Sequence, residues 1–284
     1  MITTKPRSTP SLFARLSVAL ALFSAPFVAG AQGMESAEPF KVGTFAINDI
    51  PTVGLVMRDD ALVVDLNAAN RAMQLLPQYS HLDMPVDMIG LIERYEYGLK
   101  YRIYEVVNWL VEEELLSGSA MRDFVYPVAN VDIMAPIQYP SKIMNAAVNF
   151  YTHACEGCND DELAQRTKER RENRGVPYLF LKPTRGAVIG DGEDIIMPYG
   201  RDEIEYEVEM AIVFGRTGKY ISADRAYDHV FGYMVAMDVS DRGGRPPGGY
   251  AMRSDWFVAK GHDTFAPHWP WLVPKEFYGD PMER

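Results

Sequence analysis

The chain has 284 residues, 48% apolar and 24% charged, with a formal net charge of −11. That is ordinary globular composition, with length for one large core or two modest ones. Beyond residue 31 the balance is 25 bases against 39 acids, a net charge of −14, which argues against a nucleic acid or an anionic membrane as partner. It leaves a small anionic substrate open, because a metal ion and a few local bases can reverse the sign of a pocket.

In chain order, Lys5, Arg7 and Arg15 form a basic start, Leu16 to Val28 an apolar stretch interrupted by Ser24 and Pro26, and Ala29-Gly30-Ala31 a small-residue cleavage pattern. The apolar run is short for a membrane span. Residues 1–31 therefore read as a signal peptide, and the mature protein is expected to be exported, periplasmic or secreted, with no membrane attachment after cleavage. Gly33 to Pro39 reads as a linker.

A small mixed N-terminal domain is expected over residues 38–130. Lys41–Phe45, Val53–Val56 and Ala61–Leu66 are strand-like, and Asp59-Asp60 makes the turn between the last two. Asn67–Leu76 and Val86–Leu116 have helical rhythm, the second breaking near Tyr97-Gly98. A second domain is expected over residues 131–284. It opens with Asp132–Ile137 and continues with strand candidates at Ile143–Asn149, Tyr178–Lys182, Ile195–Met197, Tyr206–Phe214 and Gly232–Asp238. Asp160–Asn173 and Ala223–Val230 are helix-compatible, and Gly243–Gly249 has a composition no regular element tolerates. Many short strands with Gly and Pro punctuation predict an α+β, mainly β, architecture with peripheral helices.

Glu203, Glu205, Glu207 and Glu209 alternate with Ile204, Tyr206, Val208 and Met210. On one strand the four glutamates would share a face. A half-buried strand with a solvated acidic face is one reading. It has four like charges in a row with no base between them, and it runs into Ala211-Ile212-Val213-Phe214, which looks buried on both faces. A cation site is the other reading, since buried carboxylates need a cation or a raised pKa, and oxygen-only ligation selects Mg²⁺, Mn²⁺ or Ca²⁺. Asp238, at the end of an apolar strand, either caps the next turn or faces a site. Cys155 and Cys158 lack the further soft ligands of a zinc site and the βαβ context of a redox motif. They form a local disulfide or stay as two thiols, with no catalytic role expected.

Five segments then occur in order: Asn149-Phe150-Tyr151-Thr152-His153-Ala154-Cys155-Glu156; Pro177-Tyr178-Leu179-Phe180-Leu181-Lys182-Pro183-Thr184; Tyr206-Glu207-Val208-Glu209-Met210-Ala211; Gly232-Tyr233 leading to Asp238-Val239-Ser240-Asp241-Arg242; and Ala259-Lys260-Gly261-His262-Asp263-Thr264-Phe265-Ala266-Pro267. Together they resemble the fumarylacetoacetate hydrolase family over residues 132–273. The resemblance implies a mixed β-roll core and a Mg²⁺ or Mn²⁺ held by Glu207, Glu209 and Asp238. It places the family's H-x-x-E pair on His153 and Glu156 and its catalytic lysine on Lys260. Arg242 and Lys182 fall at positions implied to bind substrate, a small 2-oxo or 1,3-diketo acid, and a homodimer is the family's habit. Taken singly, His153 reads first as a cap or surface histidine, and Lys260 as an ordinary exposed lysine.

Two departures qualify the resemblance. The stretch after Arg242 runs into Gly243-Gly244-Arg245-Pro246-Pro247, so substrate preference does not transfer. The family continues past Pro267 with further strands and a Gly-Thr-Pro loop, so the 131–284 domain is expected to be C-terminally incomplete, with open sheet edges and bare apolar surface. Three functions follow: a hydrolase cleaving a carbon–carbon bond in an acylpyruvate-like acid, a 2-oxo acid decarboxylase or diene-dioate isomerase on the same site, or a non-catalytic metal-binding domain.

Overall fold

The computed structural model describes residues 34–173, 175–243 and 255–281. The expected signal peptide, and all of the expected 243–249 loop except Gly243, lie outside the described residues.

Strands β1 (Lys41–Ile47) and β2 (Ile50–Met57) form an antiparallel hairpin, paired from Lys41↔Val56 to Ile47↔Ile50. Its two-residue turn, Asn48-Asp49, has φ of 51° and 62°, the left-handed pair that matches strand twist and that Asn and Asp tolerate. The turn expected at Asp59-Asp60 leads into β3 (Leu62–Asp65), with both aspartates again at positive φ. Phe45, Ile47, Val56 and Val63 pack into a buried cluster against Ile133 and Trp271. Gly54 is required there: a Cβ would lie 2.8 Å from the Phe45 ring and from Val63.

Asp65 caps α1 (Leu66–Met73) by accepting the Ala68 N–H at 2.9 Å. Asp87 caps α2 (Met88–Arg94) in the same way. A π-turn over Tyr95–Leu99 follows, where Gly98 takes φ 112°, and α3 (Lys100–Glu112) resumes beyond it. The break expected at Tyr97-Gly98 is thus set by a left-handed glycine. Leu91, Tyr95, Ile103, Val106 and Leu110 form the buried stripe of this helical run.

Next come β4 (Val125–Pro127), β5 (Asp132–Ile133) and β6 (Ile143–Ala146). Helix α4 (Asp160–Glu172) starts at an Asn159/Glu162 capping box and buries none of its residues. After it lie β7 (Leu179–Lys182), β8 (Val188–Ile189), β9 (Ile204–Glu205), β10 (Val208–Phe214), β11 (Val230–Met237), β12 (Ser240–Asp241), α5 (Trp256–Lys260), β13 (Ala266–Pro274) and α6 (Lys275–Tyr278). Among the described residues the main sheet has the order β10-β11-β13-β1-β2-β3-β4, with β5 on β1 and β8 on β13. β6 pairs with β7, and β9 with β12, as separate two-stranded ribbons. No helix of the described residues is long and apolar enough to cross a membrane.

Five expectations change. The division at residues 130 and 131 is no break in the sheet, because β1 pairs with β13 and β5, and Glu35–Arg284 form one compact unit. Strand β13 was not among the expected strands, and its Pro267, Pro270 and Pro274 are residues that strands disfavour. It nevertheless pairs with β11 through a register shift between Tyr233 and Val235. Ile195–Met197 is not a strand. It is a loop whose Ile196 N–H donates to Thr264 Oγ1 at 2.9 Å. Ala223–His229 is 3₁₀ rather than α-helical. The apolar run on β10 is also not buried on both faces: Val208, Met210, Ile212 and Phe214 are exposed and only Val213 is buried. Strand β10 ends the sheet order, and the described residues lay nothing over that face.

Candidate active site

The acidic segment is not one strand. Strand β9 stops at Glu205, β10 begins at Val208, and Glu207 between them has φ 38°. A left-handed non-glycine residue needs surrounding structure to hold it. Here the Glu207 carbonyl accepts from Asp238 N–H at 2.9 Å, and the Glu203 carbonyl from Arg242 N–H at 2.7 Å. The kink separates Glu203 and Glu205 from Glu209, and cations reach the segment from elsewhere in the chain. Arg242 donates from Nε to Glu205 at 2.8 Å and from Nη2 to Glu207, and Lys260 Nζ reaches Glu207 Oε2 at 3.1 Å. Burial opposes the Arg242 charge, but the Glu205 hydrogen bond and the charges of Glu207, Glu205 and Asp238 hold its pKa above the usual value.

Asp238 is the hub. It follows β11, the apolar strand, and accepts Lys182 Nζ on Oδ1 at 2.8 Å and Lys260 Nζ on Oδ2 at 2.7 Å. Lys182, the last residue of β7, also donates to the Val239 carbonyl at 2.8 Å. Lys260 ends α5, whose first turn Asp255 caps through Phe257 and Val258 N–H. Its ammonium also donates to Ser240 Oγ and lies 5.2 Å from the Phe180 ring centre. Ser240 Oγ in turn donates to Glu207 Oε1 at 2.6 Å. Asp238, Lys182, Lys260 and Ser240 are all buried, so each charge depends on its partners rather than on water. Burial lowers the Lys182 pKa and Asp238 pulls it back up. Lys260 is thus not the exposed lysine that single-residue reasoning favours, and Lys182 meets Asp238 rather than solvent.

Glu209 lies half-buried beside this cluster. Burial raises its pKa, the charges of Asp238 and Glu207 raise it further, and Lys260 and His153 oppose them. Glu207, Glu209 and Asp238 offer only carboxylate oxygen, the donor set of a hard divalent cation, and the crowding at Glu209 is what such a cation relieves. Their chemistry fits Mg²⁺ or Mn²⁺. Among the described residues, no three His, Cys, Asp or Glu side chains already stand at coordination spacing. Lys260 bridges Glu207 and Asp238 through one oxygen of each, and a cation held by these carboxylates would compete with its ammonium for them.

His153 and Glu156 sit on a 3₁₀ turn at the rim, with His153 Nδ1 2.5 Å from Glu156 Oε1. The i, i+3 spacing brings the two together on one face, as expected. Cys155 and Cys158 are joined as a disulfide. Sequence reasoning assigned no role to Ser240, Asp241, Arg201 or His262. Asp241 is buried, and Arg201 Nε at 2.5 Å, His262 Nε2 at 3.0 Å and Gly243 N–H at 3.0 Å all meet its carboxylate. Burial opposes the Asp241 charge, but these hydrogen bonds hold its pKa below the usual carboxylate range. Ser240, Asp241 and His262 stand inside the recognised segments and were signalled to that extent; Arg201 had no local signal.

The family model for the fumarylacetoacetate hydrolase C-terminal region matches residues 142–283. The chain is 31% identical over 234 residues to the mitochondrial oxaloacetate tautomerase FAHD2A of Bos taurus, covering 81% of this chain and 61% of that protein. It is 34% identical over 158 residues to protein Rv2993c of Mycobacterium tuberculosis, covering 56% and 52%. The chain spans about 60% of the length of the first curated relatives it matches. Among solved structures, maleylpyruvate hydrolase from Sphingobium sp. SYK-6 superposes with a TM-score of 0.55 at 26% identity, covering 85% of this chain and 69% of that one. The same protein with manganese(II) and pyruvate gives 0.54. The ordered motifs, the Glu207–Asp238–Lys260 cluster and the match over residues 142–283 agree, and the chain belongs to the fumarylacetoacetate hydrolase family.

Proposed function

We propose that this chain is a divalent-metal-dependent hydrolase that cleaves a carbon–carbon bond in a small 1,3-diketo or 2-oxo acid of acylpyruvate type. The observation that carries this reading is the imidazole–carboxylate pair, His153 and Glu156 at 2.5 Å, of which His153 also exerts a weak lowering effect on the pKa of Glu209 in the carboxylate cluster. Glu207, Glu209 and Asp238 would hold Mg²⁺ or Mn²⁺, which when bound supplies polarisation of the 2-oxo group and stabilisation of enolate charge. Glu156 orients the imidazole through Nδ1 and supports its positive charge, and His153 takes a proton from water through Nε2. Lys260, once withdrawn from Asp238, is placed to meet a developing oxyanion. Arg242, at the rim, is placed to hold a substrate carboxylate. Lys182 acts from beneath, balancing the charge of Asp238. The maleylpyruvate hydrolase likeness, with pyruvate and manganese in that protein's structure, supports the substrate class.

A second reading is favoured by the tautomerase relative at 31% identity. In it His153 moves a proton between a carbon and an oxygen of a 2-oxo acid without cleavage. One assay separates the two. The full chain is incubated with acylpyruvates or enol oxaloacetate, with Mg²⁺ or Mn²⁺ and with an EDTA control. Metal-dependent loss of diketo absorbance with release of two acids supports the hydrolase. Loss of enol absorbance without cleavage supports the tautomerase. No metal-dependent change in either substrate sinks both.

A further inference from the structure

Cys155 and Cys158 enclose the carboxylate that pairs with His153. Glu156 and Gly157 are the only residues inside the disulfide ring. Glu156 has φ −56° and ψ 129°, Gly157 has φ 80°, and Cys158 N–H donates to the Cys155 carbonyl at 3.0 Å. This is a type II turn, which places a left-handed residue third and so calls for glycine there. The disulfide joins the first and fourth residues of that same turn. Before it, Cys155 N–H donates to Thr152 O and Ala154 N–H to Phe150 O, both at 3.0 Å, and the Cys155 side chain is buried. After it, Asn159 starts α4 with its capping box. The ring is therefore tied at both ends, while the Glu156 side chain is exposed and meets His153.

A four-residue ring removes little chain entropy from the unfolded state, because the gain from a cross-link grows with loop length. Global stability is a poor account of this bond. Local geometry is a better one, since an exposed ion pair cannot hold two side chains in one arrangement against solvent and rotamer entropy. We infer that the Cys155–Cys158 disulfide is a positioning element that fixes Glu156, and through it the tautomer and orientation of His153. The inference rests on the proposed roles of His153 and Glu156. It also fits the export expected from residues 1–31, since a disulfide persists in an oxidising compartment.

The test uses the full chain in two forms: wild type treated with a dithiol, and Cys158→Ser. In the first, the S–S bond breaks, two thiols form with two electrons and two protons from the dithiol, and the dithiol closes to its own disulfide. Alkylation followed by mass measurement shows that both thiols are open. The expected result is a fall in kcat of about tenfold, with KM and Mn²⁺ affinity within twofold, since misplacing a catalytic group lowers turnover more than binding. Re-oxidation of the wild type restores kcat. Imidazole ¹⁵N shifts of His153 move from one fixed tautomer toward an average of two. That last readout needs no substrate, so it stands if the proposed reaction is wrong. Unchanged kcat and an unchanged tautomer signal with both thiols alkylated would overturn the inference. So would an equal loss of Mn²⁺ affinity, which would mark general disruption of the site.

Discussion

Asp238 and Glu156 are both carboxylates paired with a nitrogen cation or imidazole within 3 Å, but their settings are opposite. The Asp238 side chain is 5% exposed and the Glu156 side chain 74%. Asp238 is held by two buried ammonium groups, and each of those has a second acceptor, the Val239 carbonyl for Lys182 and Ser240 for Lys260. Glu156 is held by its backbone: a type II turn, a left-handed glycine and a covalent bond around it. Where water is excluded, charges position one another and none can be removed alone. At the rim water screens the pair, so its geometry has to come from the main chain.

The largest effect tests the buried half. Asp238→Asn leaves Lys182 and Lys260 without their shared counter-charge, and the loss of folding stability in urea is expected to be about 3–5 kcal/mol. Glu156→Gln, at the exposed site, should cost less than about 1 kcal/mol. Equal costs at the two positions would break the comparison.

His268 on β13 is a buried titratable group that, among the described residues, has no counter-charge in contact and an unpartnered Nδ1. Burial pushes its pKa down from 6.5 to about 4, against a hydrogen bond to the Ile137 backbone that raises it. Between those values the unfolded chain binds the proton and the folded chain does not. Stability is therefore full above pH 6.5 and falls as pH drops toward 4, by about 3 kcal/mol in all. Urea midpoints across that range should show the slope, and His268→Gln should flatten it. An unchanged slope in the variant would mean that His268 is not the group that produces it.

His153→Ala sharpens the rim half. Turnover should fall about a hundredfold or more, while Mn²⁺ affinity is kept and stability changes by no more than about 0.5 kcal/mol. A fully active variant would remove His153 from the mechanism. Glu209→Gln is the intermediate case, half-buried and crowded by Asp238 and Glu207. Manganese affinity, read by electron paramagnetic resonance titration, should fall at least tenfold, about 1.4 kcal/mol, with no loss of stability because a repelled charge has been removed. Unchanged affinity would remove Glu209 from the ligand set.

The same contrast explains what the sequence made legible. Local backbone preference shows in sequence: the β1–β2–β3 meander, the Asp59-Asp60 turn, the break at Gly98 and the His153–Glu156 pairing are all set within a few residues. The identities Glu207, Asp238 and Lys260 came from ordered motifs. What holds them did not, because Lys182 and Lys260 reach Asp238 across 56 and 22 residues and Arg242 reaches Glu207 across 35. Alternation predicted four glutamates on one face because it assumes an unbroken strand, and the left-handed turn at Glu207 leaves no periodic trace. Strand β13 was hidden by its prolines, and the bare face of β10 by a pattern that reports apolar residues without saying what covers them.

The smallest effect is the most direct test of backbone control at the rim. Gly157 has φ 80°, and a Cβ added there would meet no atom of the described residues within 4 Å. Gly157→Ala therefore introduces no clash among the described residues, and its cost is that of the left-handed conformation, about 1 kcal/mol. Gly157→Asn should cost about half as much, because asparagine tolerates that region. With the disulfide closed, the turn has no alternative geometry, and the cost appears as lost stability in urea. With the disulfide opened by a dithiol, the alanine variant can relax to another turn, and the stability penalty should shrink while turnover falls further. A penalty that is the same in both redox states would mean that the hydrogen-bonded turn, rather than the covalent bond, carries the geometry of Glu156.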